Sequence, residues 1–167
     1  MINLQDGESF PKEIRHLKYL ESFTVQSNEN NQIRTISMGE EIGELQYLKN
    51  LTVAAIGINA LPDNFVKLGN TLETLDLRSN NFPSLSVITD VVNKDKFTKL
   101  KALSLIGCRA TDVLRDLSLI SGGKYNGRDV GLHVNISKDK TQKDAFLKLL
   151  TWDKLISVEL SYNFFEG

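Results

Sequence analysis

One short apolar frame recurs along this chain, and it leaves few folds open. Leu72-x-x-Leu75-x-Leu77-x-x-Asn80 is the cleanest copy. Leu20-x-x-Phe23-x-Val25-x-x-Asn28, Leu100-x-x-Leu103-x-Leu105-x-x-Cys108 and Leu155-x-x-Val158-x-Leu160-x-x-Asn163 repeat it. Leu48-x-x-Leu51-x-Val53-x-x-Ile56 departs only at its last position, and a degenerate copy runs through Val134-x-Ile136 with Asp139 at that place. The equivalent positions Phe23, Leu51, Leu75 and Leu103 lie 28, 24 and 28 residues apart, and Val134 and Val158 follow after 31 and 24. Self-similarity at such a period is the mark of one supersecondary unit stacked on copies of itself. In each copy the last two apolar residues alternate with polar ones, the period-two pattern of a half-buried strand.

The connections align as well. Phe10-Pro11-Lys12-Glu13-Ile14-Arg15-His16-Leu17 leads into Leu20, Met38-Gly39-Glu40-Glu41-Ile42-Gly43-Glu44-Leu45 into Leu48, and Leu61-Pro62-Asp63-Asn64-Phe65-Val66-Lys67-Leu68 into Leu72. With the strand frame, these segments resemble the leucine-rich-repeat family over nearly the whole chain, most weakly from Gly122 to Asp129. The resemblance implies an α/β fold: a horseshoe solenoid with a parallel sheet on its concave face and helical or irregular returns on its convex face. Residues 1–167 are then a single domain of about six repeats. The resemblance also implies that Asn28, Asn80, Cys108 and Asn163 form a ladder of turn residues bonded to the backbone, with Ile56 breaking it. Thr141-Gln142-Lys143-Asp144 reads as a helix start leading to Leu150, and Ser86 to Val92 and Asp112 to Ile120 read as helical returns. Pro11 and Pro62 predict shorter, partly helical returns. Trp152, aligned with Leu17 and Leu45, is expected in the core. Because each repeat buries its face on the next, a solenoid's terminal repeats need polar caps. None follows Asn163-Phe164-Phe165-Glu166-Gly167, so a fragment of a longer protein is expected.

The strand frame assigns side chains to the open face: Thr24 and Gln26, Asn50 and Thr52, Thr74 with Asp76 and Arg78, Ser104, then Ser157 and Glu159. Ser22, Ala54, Ala102, Ile106 and Ser161 belong to the same rows, as do His133, Asn135 and Ser137 if the degenerate copy forms a strand there. These side chains are mostly small, polar and uncharged. Asp76 and Arg78, two apart on one face, are expected to form a surface ion pair worth roughly 0–1 kcal/mol, or else a charged anchor for a partner.

Composition narrows the function. Hydrophobic residues make up 41% and charged residues 25%, enough apolar material for a real core and against disorder. The net charge of -1 points to neither a nucleic acid nor an anionic membrane, and no apolar run is long enough to insert in a bilayer. Met1-Ile2-Asn3-Leu4-Gln5-Asp6-Gly7-Glu8 does not read as a secretory leader, so the protein is expected in the cytosol unless a leader lies outside these residues. Cys108 alone allows no intrachain disulfide, and with His16 and His133 it offers no clustered metal ligands. No Gly-x-Ser-x-Gly elbow occurs, and Gly122-Gly123-Lys124 lacks the spacing of a phosphate loop. Asn50-Leu51-Thr52 and Asn135-Ile136-Ser137 match a glycosylation triplet but fall on strands and read as structural.

No cofactor, metal or small-molecule substrate is therefore expected. The resemblance implies a non-catalytic protein-protein recognition module that binds a protein partner on the concave sheet. The alternatives are a targeting arm of a larger enzyme and an architectural spacer. Carbohydrate binding ranks lower, because the concave face carries no aromatic side chain. The Pro-Glu-Ile and Asn-x-Phe features resemble bacterial cell-surface and plant-type members, which favours a bacterial surface or secreted protein.

Overall fold

The computed structural model describes residues 7–26, 36–107, 124–125, 128–129, 133–135, 137–161 and 163–166. It is a mixed α/β structure built on a five-stranded parallel sheet in the order β1-β2-β3-β4-β8. The strands are β1 (Ser22–Gln26), β2 (Asn50–Ala54), β3 (Thr74–Asp76), β4 (Ala102–Ser104) and, after an excursion, β8 (Ser157–Glu159). Successive strands pair without slippage: Phe23 opposes Leu51, Leu51 opposes Leu75, Leu75 opposes Leu103 and Leu103 opposes Val158. The repeating frame therefore becomes continuous rows of side chains across the sheet. The register is physically fixed, because a slip by one residue would turn every leucine of a strand out to water.

Behind the sheet lie the returns. The first three are 3₁₀ helices, η1 (Lys12–His16), η2 (Glu40–Glu44) and η3 (Asp63–Asn70). Pro11 and Pro62 occupy the N-cap positions of η1 and η3 with φ of -56° and -67°, where a missing N–H is harmless. Gly39 does the same for η2, so the short tight return does not depend on proline. The fourth return is α1 (Leu85–Thr89), shorter than the sequence predicts, with Asn93 Nδ2 donating to the Thr89 and Asp90 carbonyls past its end. The last is α2 (Lys140–Leu150). Its cap is Asp139, whose carboxylate accepts the Gln142 N–H at 3.1 Å, so the helix starts ahead of the expected Thr141 signal. A carboxylate there also meets the positive end of the helix dipole.

The core fills the space between sheet and returns. Leu51, Leu75 and Leu103 from the strands meet Ile42, Phe65, Ile88 and Phe97 from the back, all essentially inaccessible to solvent. Phe65 and Phe97 stack with ring centroids 5.8 Å apart, and Trp152 is buried as its alignment requires. Leu17, aligned with Trp152 and Leu45, is instead half exposed at the first repeat. Returns approach closely where glycine allows it. A Cβ on Gly69 would lie 1.9 Å from the Lys96 carbonyl oxygen, which itself belongs to the backbone and cannot swing away. Gly69→Ala should therefore cost about 1–3 kcal/mol in chemical denaturation, as an overpacked site does; an unchanged midpoint would disprove the close approach.

One expectation is corrected. The degenerate copy through Val134 does form a strand, β7 (His133–Asn135), but β7 lies outside the five-stranded sheet. It pairs in parallel with β9 (Phe164–Glu166), while β4 pairs directly with β8. The backbone of His133 and Asn135 thus lies in a separate two-stranded sheet rather than beside β4 in the five-stranded one. In sequence, Gly131 stands where the frame has its first leucine, so this copy departs from the pattern at that position. β7 precedes α2 just as Ser9 and Ser37, themselves bridged in parallel, precede η1 and η2. Between β4 and β7, β5 (Lys124–Tyr125) and β6 (Arg128–Asp129) form a small antiparallel ribbon. Cys108 and the expected helix from Asp112 to Ile120 lie outside the described residues, as does Asn28.

Candidate binding face

The alternation of each strand points every second side chain away from the core. Register then brings Thr24, Thr52, Asp76, Ser104 and Glu159 into one row, and Ser22, Asn50, Thr74, Ala102 and Ser157 into another. Thr24, Gln26, Asn50, Ser157 and Glu159 are exposed, whereas Thr52, Thr74, Asp76, Arg78 and Ser104 are half buried toward the middle of the sheet. Ala54, assigned to the same face, is buried.

Several of these side chains hold one another. Asn50 Nδ2 donates to Ser22 Oγ at 3.0 Å, and Thr74 Oγ1 donates to Asn50 Oδ1 at 2.8 Å. A polar row is thereby fixed across three strands. Asp76 and Arg78 form the expected ion pair, Nε to Oδ2 at 3.3 Å. Asp76 also accepts the Arg78 backbone N–H through Oδ1 at 3.0 Å, which makes it a turn-forming residue at the end of β3. Arg78 itself lies just past the strand. Ser104 Oγ is buried without a hydrogen-bond partner among the described residues.

At the far end of the strands Asn80 is wholly buried. Its Nδ2 donates to the Val53 carbonyl at 2.6 Å and to the Leu77 carbonyl at 2.8 Å, and its Oδ1 accepts the Ile56 N–H at 3.3 Å. Asn163 repeats the pattern, donating to the Leu105 and Leu160 carbonyls at 2.7 and 3.0 Å. Each asparagine satisfies one carbonyl of its own repeat and one of the repeat before. Ile56 breaks the frame without leaving its turn unsupported: its side chain enters the core and Asn80 takes its amide. Ala55 and Gly57 absorb the bend with φ of 55° and 79°.

Two features lie off the face that the frame singled out. The first is the rim where the strands begin. There Glu21 pairs with Lys49 at 3.0 Å and Glu73 with Lys101 at 2.7 Å, with Ile156 next in the same row. Beside this rim the Tyr19 and Tyr47 rings stand exposed with centroids 5.7 Å apart. Their equivalent places in two repeats were the available signal. The hydrogen bond from Lys101, and then its charge, hold the Glu73 carboxyl below its ordinary value against an opposing desolvation, with the Lys49 and Lys99 charges as lesser contributions in the same direction. A depressed carboxyl contributes stability that is present above the ordinary carboxylate range and lost as pH falls through the lowered midpoint. In Lys101→Met the Glu73 midpoint should rise toward the ordinary value in carboxyl NMR titration; an unmoved midpoint would exclude this pairing in solution.

The second is a groove of about 570 Å³ behind the sheet, lined by Arg15, His16 and Lys18 against Glu41, Glu44 and Gln46. Glu40 on its wall caps η3, accepting the Asp63 and Asn64 N–H groups at 3.1 and 2.8 Å, and Glu44 pairs with Lys67. These carboxylates serve to lock successive returns together.

Among the described residues, no helix is long and apolar enough to cross a membrane. No protein-family model and no curated protein matches the chain.

Proposed function

We propose that this chain is an arc of a leucine-rich-repeat solenoid and acts as a non-catalytic protein-recognition module, with its partner held on the polar face of the five-stranded sheet. The observation that carries the reading is the combination of in-register rows with an asparagine bonded to backbone carbonyls at the same turn in two repeats. Such a scaffold is rigid behind and accessible in front. Five strands offer a broad surface of short hydroxyl and amide side chains, suited to many separate hydrogen bonds with a protein surface and unsuited to engulfing a small molecule. Pre-organisation supports the same reading. Asn50 is already oriented by Ser22 and Thr74, so little side-chain freedom remains to be lost on binding.

The test uses the exposed row members and leaves Asp76 intact, because its loss would disturb the β3 turn. Thr24→Lys, Ser157→Lys and Glu159→Lys would be combined, with folding checked by circular dichroism, and the two proteins compared as baits in lysate and cell-surface extracts. Capture by the unmodified chain alone supports a protein partner on this face. Equal capture by both removes the site from the sheet, and no capture by either favours an architectural spacer.

A further inference from the structure

We infer that the rim where the strands begin is a second binding surface and that it takes an acidic polysaccharide, an uncharged sugar lying over Tyr19 and Tyr47 and carboxylated sugars over Lys99 and Lys154. The strand register carries back to the residue three places ahead of each strand. Tyr19, Tyr47, Thr71, Lys99 and Lys154 hold that place in successive repeats of the sheet. Every repeat crosses this rim, so it is not an outer edge of the sheet. Tyr47 and Lys99 lead into β2 and β4, each flanked by a strand on both sides, and both side chains are exposed.

One end of the rim is aromatic. The Tyr19 and Tyr47 rings are 84% and 52% exposed. With centroids 5.7 Å apart and planes inclined by 33°, they are offset, and neither covers the other. A pyranose has an apolar C–H face that lies flat on such a surface. The polar face of the sheet has no aromatic side chain, and this rim supplies a pair. The other end is cationic. Lys99, Lys101, Lys154 and Ile156 line a hollow of about 320 Å³. Lys101 is taken by Glu73, whereas Lys99 and Lys154 have no ion-pair partner among the described residues. Along the rim Lys49, Lys99, Lys101 and Lys154 stand against only Glu21 and Glu73, an excess of positive charge in a chain whose net charge is -1.

The form of the rim selects among anionic chains. Neighbouring strands stand about 4.8 Å apart, close to the length of one pyranose in an extended polysaccharide. The carbonyls of Glu21, Lys49, Glu73 and Lys101 each accept two N–H groups from the next repeat. No main-chain partner is left there for a peptide backbone, so recognition falls to side chains. A nucleic acid carries a charge on every residue and would set one against Glu21 beside the tyrosines. A polysaccharide with neutral and acidic sugars matches the uneven charge. This surface is separate from the polar face and does not depend on what that face binds.

Isothermal titration calorimetry tests the inference, with decasaccharides of hyaluronan and chondroitin as probes, since both alternate acidic and neutral pyranoses. The unmodified chain should bind them, and more weakly as salt is added. Tyr19→Ala with Tyr47→Ala should lower the association constant by about tenfold and leave the salt dependence in place. Lys99→Gln with Lys154→Gln should lower it by a similar factor and flatten the salt dependence. All four side chains are exposed, and circular dichroism checks that both variants keep the fold. Neither variant touches the polar face, so a failed capture there leaves this inference standing. Absence of binding to both probes overturns it, as does binding that neither variant weakens. Equal or tighter binding of oligothymidylate or polyglutamate overturns it in favour of a nucleic acid or an acidic protein segment.

Discussion

Asn80→Ala is expected to destabilise the fold by about 3–5 kcal/mol, more than any polar substitution on the open face. The side chain is inaccessible to solvent and serves three backbone groups from two repeats: the Val53 and Leu77 carbonyls and the Ile56 N–H. Removing it takes a side-chain partner from three backbone groups of buried residues at once. A buried unsatisfied group costs roughly 1–3 kcal/mol, so the sum stays large even if the turn relaxes around one of them. Asn163→Ala makes the internal comparison. It removes two equivalent bonds, but at a half-buried position in the last repeat where solvent can substitute. Its loss should be distinctly smaller. Urea unfolding followed by circular dichroism measures both; a cost under about 1 kcal/mol for Asn80→Ala would show that the ladder does not hold the turns.

Leu75→Ala and Leu103→Ala should each cost about 2–5 kcal/mol. Both side chains are 1% exposed and stand in the same row, in contact with the returns behind and with their register partners on either side. Closing the void would require moving a strand, and neighbouring strands hold it by a continuous ladder. Val158→Ala, in the same row, should cost well under either, because that position is already partly open to water. Equal losses at all three positions would mean that the row is not graded by burial. Losses under about 1 kcal/mol at both leucines would remove the strand frame altogether.

The strand frame was legible in the sequence because its cause is local. Period-two alternation decides which side chain enters the core, and five copies of one pattern leave a single consistent register. The turn asparagines were legible for a related reason: an amide beside a strand end can satisfy carbonyls that the sheet leaves over, and Asn80 and Asn163 do so. The prolines Pro11 and Pro62 mark where two returns open, but the Gly39-led return is as short as the first and η3 runs eight residues, so proline does not set their length.

What the tertiary structure alone decided concerns contacts between distant segments. The pattern around Val134 is strand-like by its own composition, and β7 is a strand; only competition for an edge shows that β8 takes the place beside β4. Asp139 rather than Thr141 starts α2, since capping depends on which side chain reaches a free N–H. Asp76 looked like half of a surface ion pair and serves also as a turn acceptor for a backbone group two residues on. The uneven exposure of Val158 and its register partners is likewise invisible in the frame, because all of them occupy the same sequence position. Local chemistry sets how each repeat folds. Burial depends on what is packed against it, and that is a property of the assembled sheet.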